Sequence, residues 1–157
     1  MFWFPFAAAS AHVFEEFAWP GGFTFWYHRY RPEIARSVSR KFLFWINAAL
    51  LFGAFSVGID ERTPIGPAFF LTFCALLAGN GMFHLYATLT TRRYSPGVVT
   101  GTLLYIPLAL YGFATLIANG RASIGTALIA ALIGGSYHFA SVANHRRRSV
   151  AAQRTSA

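Results

Sequence analysis

Long uncharged apolar runs alternate with short polar connections along the whole chain. Phe42–Ile59, Ala68–Thr90, Val98–Gly120 and Ala122–Asn144 contain no Asp, Glu, Lys or Arg, and neither does Met1–Phe14. A bilayer core of ~30 Å is crossed by about 20 apolar residues in a helix. The pattern therefore predicts an all-α membrane protein, a bundle of five transmembrane helices at about 2–19, 42–58, 68–90, 100–118 and 124–143. Pro20-Gly21-Gly22 stops the first helix and turns the chain. The following Phe23–Lys41 mixes Phe23, Phe25, Trp26, Tyr27 and Tyr30 with Arg29, Arg31, Arg36, Arg40 and Lys41. Aromatic rings and basic side chains both favour the headgroup layer, so this is read as an interfacial aromatic/basic segment. Pro32-Glu33 suits the first turn of a short helix within it. Residues 1–145 form a single transmembrane helical domain in this reading, and 146–157 a basic, disordered cytoplasmic tail.

Composition agrees with the pattern. Hydrophobic residues make up 55% of the 157 and charged ones only 11%, against roughly 25% charged in soluble domains. The net charge of +8 would suggest nucleic acid on a soluble, groove-shaped face. Here the basic residues lie between apolar helices, so no nucleic-acid partner is expected. With five spans, Phe23–Lys41, Thr91–Gly97 and the C-terminal tail share one side and hold all of the 13 Lys and Arg residues except Arg62 and Arg121. Cytoplasmic connections are enriched in Lys and Arg, which places the N-terminus outside and the C-terminus inside a bacterial inner (plasma) membrane. No basic residue precedes Arg29, so the first apolar segment is expected to be a retained helix and not a signal peptide. Cys74 has no partner for an internal disulfide and reads as a small buried hydrophobe.

On this topology the intramembrane polar residues share one depth. His12, Glu15 and Glu16 fall in the last turns of the first helix, and Asn80 and His84 toward the cytoplasmic end of the third. Asn47 and Tyr105 lie one turn into the second and fourth, and His138 one turn from the end of the fifth. At 1.5 Å per residue these groups lie ~8–15 Å from the cytoplasmic interface. His12, Glu15 and Glu16 are spaced i, i+3, i+4 and occupy one helix face, as do Asn80 and His84 at i, i+4. Gly79, Gly81, Gly134 and Gly135 allow close helix approach around them. His28 and His145, among arginines, read as surface groups, and Asn47 as an interhelical hydrogen bond.

An ionisable group at such depth costs at least ~2.5 kcal/mol and is normally paired, bound to a ligand or lining a cavity. Three chemistries fit. The first is a metal centre of iron, zinc or manganese with His12, His84 and His138 as imidazole ligands and Glu15 or Glu16 as carboxylate. The second is metal-free acid–base chemistry through Glu15 and Glu16. The third is ion or proton passage, which the apolar outer halves disfavour. The expectation is a metal-dependent enzyme acting on a hydrophobic small molecule or membrane lipid. Glu15, Glu16, Asn80 and Tyr105 would be its catalytic groups, with Tyr94 at the entrance. The alternatives are a metal-free isomerase-like enzyme or a lipid- or ion-binding carrier, and a homo-oligomer is compatible with each.

Three motifs in order, His12-Val13-Phe14-Glu15-Glu16, Asn80-Gly81-Met82-Phe83-His84 and Tyr94-Ser95-Pro96-Gly97 before Thr100, resemble those of the HXXEE family of small bacterial and archaeal membrane proteins. The resemblance implies that His12, Glu15, Glu16, Asn80 and His84 form a site, and it names no reaction. His138 rests on the depth argument alone.

Overall fold

The computed structural model describes residues 1–154, leaving aside the side-chain surroundings of Arg36, Ser149 and residues 151–154. Among the described residues there are six principal helices and no β-strand. They are α1 (Phe4–Phe17), α2 (Phe23–Tyr30), α3 (Arg40–Ile59), α4 (Gly66–Thr91), α5 (Val98–Ala118) and α6 (Ile124–Arg154). Single 3₁₀ turns at Ala35–Ser37 and Asp60–Arg62 lie on either side of α3.

Four helices, α3 to α6, are long and apolar enough to cross a membrane. The expected fifth span, residues 2–19, is corrected. Helix α1 has only 14 residues, or ~21 Å at 1.5 Å per residue, short of the ~30 Å core. It begins where Pro5 suits the first turn and breaks at Phe17, before a cis Trp19–Pro20 bond and the left-handed Gly21 and Gly22. Its buried face is Pro5, Ala8, Ala9, His12, Glu15 and Glu16, one stripe of a 3.6-residue period. The N-terminal end lies with the Asp60–Arg62 and Arg121 end of the bundle. Phe2 packs on Phe70 at 4.6 Å, Trp3 packs on Phe55, and Arg121 covers the Phe2 ring. Its C-terminal end lies at the opposite, arginine-rich end, beside the α4–α5 connection.

The tail from residue 146 is also corrected. Helix α6 continues without a break through Arg146–Arg148 to Arg154, and residues 155–157 lie outside the described residues. His145, expected on the surface, is buried, with Nδ1 2.8 Å from Ser37 Oγ and its ring edge on Phe42. That contact ties α6 to the 3₁₀ turn before α3, a tertiary anchor that a charge-rich local sequence does not reveal. His28 likewise faces inward, with Nε2 3.0 Å from the Val38 carbonyl.

Helix α4 is the hub, packing on α6 along much of its length and on α5 at a close crossing. A Cβ on Gly81 would lie 2.5 Å from the Gly101 carbonyl oxygen, so these backbones touch only because both positions are glycine. Helix α5 opens with one α-turn and then takes a π-helical turn over Gly101–Tyr105 before resuming as α-helix at Ile106. Pro107 supplies no N–H to Leu103 and its ring crowds that carbonyl, which accounts for the widened turn. The widened turn brings the Tyr105 ring to 4.6 Å from that of His12.

Candidate functional site

Glu15 and Glu16 are both buried but do different things. Glu15 accepts five hydrogen bonds from one short stretch. Tyr94 OH at 2.7 Å, Gly97 N–H at 3.0 Å and Val99 N–H at 3.1 Å reach Oε1. Thr100 N–H at 2.7 Å and Thr100 Oγ1 at 2.5 Å reach Oε2. The first N–H groups of a helix have no partner within it and favour an anion. Glu15 is that anion for α5, supplied from a helix more than 80 residues earlier. Both its oxygens are taken up by these donors, whereas the sequence offered Glu15 and Glu16 alike as metal ligands. Burial and the bond to the Glu15 carboxylate both raise the Tyr94 phenol above its ordinary pKa, so it stays a donor.

Glu16 faces the other way. Its Oε1 lies 3.2 Å from His84 Nε2 and 3.5 Å from His12 Nε2. His12, Glu16 and His84 are at most 4% exposed, and one ligand atom from each lies within 4.8 Å of the others. Among the described residues they are the His, Cys, Asp and Glu grouping able to hold a metal ion.

The far side of each imidazole is held by a hydroxyl. His12 Nδ1 is 2.8 Å from Thr100 Oγ1, and His84 Nδ1 is 2.8 Å from Ser95 Oγ. Thr100 fixes the tautomer of His12. A hydroxyl has one proton, and a carboxylate can only accept. Thr100 gives its proton to Glu15 and must accept from His12 Nδ1–H. Neutral His12 then carries a lone pair on Nε2, directed toward Glu16 Oε1. Neither Nε2 has any other partner. Holding the distal nitrogen in this way is how proteins orient metal-ligating histidines.

The loop that carries these hydroxyls must come very near the rings. Gly97 has φ +101°, and a Cβ there would lie 2.6 Å from His12 Cε1 and 2.9 Å from His84 Cε1. Only glycine meets both demands. On the arginine-rich side, the turn at Pro20–Gly22 folds α2 back over the cluster. Trp26 stacks on His84 at 5.8 Å and 25°, and Phe23 lies 5.9 Å from the same ring. The expected interfacial segment is thus partly a cover for the site.

The remaining sequence candidates divide. Tyr105 is fully buried against His12 with its hydroxyl unpartnered. The Asn80 carboxamide oxygen is buried and unpartnered. His138 does not join the cluster, because its Nε2 lies 3.2 Å from the Leu76 carbonyl and its ring rests on Gly79. Asn47 donates to the Leu43 carbonyl of its own helix at 2.8 Å and bridges no helices. The sequence reading missed Ser95, Thr100 and Gly97 as working parts and Phe23 and Trp26 as a cover. The first three lie in the Tyr94–Thr100 motif, which was the available signal.

Four helices long and apolar enough to cross a membrane, with a buried His/Glu cluster between α1 and α4, mark a multi-pass helical membrane protein. A family model described as "Protein of unknown function with HXXEE motif" matches residues 3–112, and the chain belongs to this HXXEE family. That stretch contains every residue of the cluster and ends before α6, so His138 lies outside it. No curated protein and no solved structure matches the chain.

Proposed function

We propose that this protein is a metal-dependent membrane enzyme that acts on a hydrophobic small molecule or lipid. His12 Nε2, His84 Nε2 and Glu16 Oε1 would hold an iron, zinc or manganese ion. The observation that carries the reading is the His12–Glu16 contact, where an imidazole Nε2 faces a carboxylate oxygen while Nδ1 is held by Thr100. At that distance the two atoms need a positive charge between them, which a metal ion, or a proton on His12 Nε2, would supply. Bonds of 2.0–2.2 Å to a tetrahedral metal separate neighbouring ligand atoms by about 3.3 Å. The two separations from Glu16, 3.2 and 3.5 Å, bracket that value, and all three ligand atoms lie within 4.8 Å of one another. Two imidazoles and one carboxylate leave at least one coordination position open. A bound metal would use it to acidify a water or polarise a substrate oxygen. Tyr105 and Asn80, with unpartnered polar atoms nearby, are the residues that would contact the substrate.

The basic end carrying α2 would face the cytoplasm, where connections are enriched in Lys and Arg. The site then lies in the cytoplasmic half, within reach of an amphiphile's headgroup.

The 3.2 Å Glu16–His84 distance also suits a shared proton, which favours metal-free acid–base chemistry as the second reading. Elemental analysis of detergent-purified protein separates the two. About one equivalent of transition metal, lost in both His84→Ala and Glu16→Ala, supports the metal enzyme. Folded protein without metal, and with no uptake of Zn²⁺, Mn²⁺ or Fe²⁺ on titration, overturns it in favour of the proton reading.

A further inference from the structure

Helices α3 and α6 stand on either side of α4 and make little contact with each other. Between them lies a cavity of about 270 Å³ with Glu16, Asn80 and His138 in its wall. Its sides are apolar, formed by Leu43, Leu50, Phe73 and Leu76 among others. Exposed Ala49 and half-buried Ile46 and Tyr137 mark its mouth on the outer face of the bundle, which a membrane would cover with lipid. Small-molecule pockets usually span ~300–1,000 Å³, so this one suits a single chain or small ring and not a bulky headgroup.

Its polar wall carries strong acceptors beside the amide nitrogens of Asn47 and Asn80 and the Tyr137 hydroxyl. The Asn80 oxygen has no partner, and Glu16 is a carboxylate. Where His138 Nε2–H donates to the Leu76 carbonyl, its Nδ1 becomes an acceptor. Such a wall matches a ligand that supplies a proton. The Glu16 carboxylate repels an anionic head, and an amide side chain serves a hydroxyl equally well through its oxygen or its nitrogen.

We infer that the α3–α6 cleft binds an uncharged single-chain lipid bearing a terminal hydroxyl, which enters sideways from the bilayer and places that hydroxyl between Asn80 and Glu16. Calling this ligand the substrate rests on the His12–Glu16–His84 reading above; its binding does not.

The test is photolabelling of full-length protein in phosphatidylcholine nanodiscs with a diazirine-bearing dodecanol, competed by dodecanol, dodecanoic acid or dodecane, with metal content measured on the same samples. The expected result is saturable labelling of α3 and α4 at the cavity residues, competed best by the alcohol. Ala49→Trp, which fills the mouth, should abolish it. Asn80→Leu should weaken alcohol competition about tenfold, the loss of one hydrogen bond, and leave dodecane competition unchanged. Unsaturable labelling spread over the outer faces of the bundle, or stronger competition by the acid or alkane than by the alcohol, overturns the inference even where metal is bound. Saturable labelling in metal-free protein supports the pocket and removes only the metal enzyme. Because wild-type protein gives the labelling map, the inference stays testable if Ala49→Trp fails to fold.

Discussion

His12 Nδ1 and Thr100 Oγ1 are 2.8 Å apart, and this contact sets which nitrogen of His12 faces the site. The Thr100 proton is committed to Glu15 Oε2 at 2.5 Å, so Glu15 acts on the cluster at one remove. It holds the hydroxyl that holds the imidazole. The two adjacent glutamates of the motif thus have separate tasks, Glu15 in building the site and Glu16 in being part of it.

Removing Thr100's hydroxyl should therefore weaken metal binding without removing a ligand. Outer-sphere partners of metal-bound histidines are worth 10–100-fold in affinity. Thr100→Val is expected to lose that much, and Thr100→Ser to retain near-normal affinity. Competitive titration with a chromophoric chelator reads both. Equal affinities for the two variants would mean that the hydroxyl does not orient His12.

The glutamates should separate in stability. Glu15→Ala leaves the Gly97, Val99 and Thr100 N–H groups unsatisfied in a buried place, at about 1–3 kcal/mol per group. A total loss of about 3 kcal/mol or more is expected. Glu16→Gln keeps the shape and should cost about 1 kcal/mol or less while abolishing metal uptake. Thermal unfolding in detergent, monitored by circular dichroism, distinguishes them. A stability loss that is larger for Glu16→Gln would reverse the assignment.

Whether Glu15 or Glu16 is the ligand could not be read from the chain, because the i+3 and i+4 positions share one helix face. The choice depends on a helix start more than 80 residues away, which no local pattern reports. The depth argument placed His12, Asn80, His84, Tyr105 and His138 in one layer, and the structure brings the His12 and His84 rings together with Glu16. His138 lies apart because depth does not fix the angle around a helix. There the ring turns to the Leu76 carbonyl. The apolar runs identified four long helices to within a few residues at most ends. The first run misled because Met1–Phe14 is as apolar as part of a span, whereas the helix there, Phe4–Phe17, has only 14 residues. Ser95 and Thr100 escaped notice because a hydroxyl becomes informative only when its partner is known.

Gly97→Ala is expected to open the cluster. The added methyl would sit 2.6 Å from His12 Cε1 at a φ of +101°, so both the loop and the rings must shift. Metal affinity should fall at least ~tenfold, in the range of other losses around a metal site, with the helical circular dichroism spectrum preserved. Unchanged affinity would show that the loop does not pack as described.

His138→Ala should leave metal stoichiometry at the wild-type value, since His138 is bonded to a backbone carbonyl outside the cluster. Loss of metal in this variant, measured by mass spectrometry of the digested protein, would restore His138 as a ligand and require a rearranged α6.

The central claim is that His12, Glu16 and His84 bind one metal ion directly. X-ray absorption at the metal edge of purified protein tests it most closely. The account predicts a first shell with two imidazole nitrogens at ~2.0–2.1 Å and at least one oxygen at ~2.0–2.2 Å, with one imidazole contribution removed in His12→Ala. A shell without imidazole scattering, or one unchanged by His12→Ala, would contradict it.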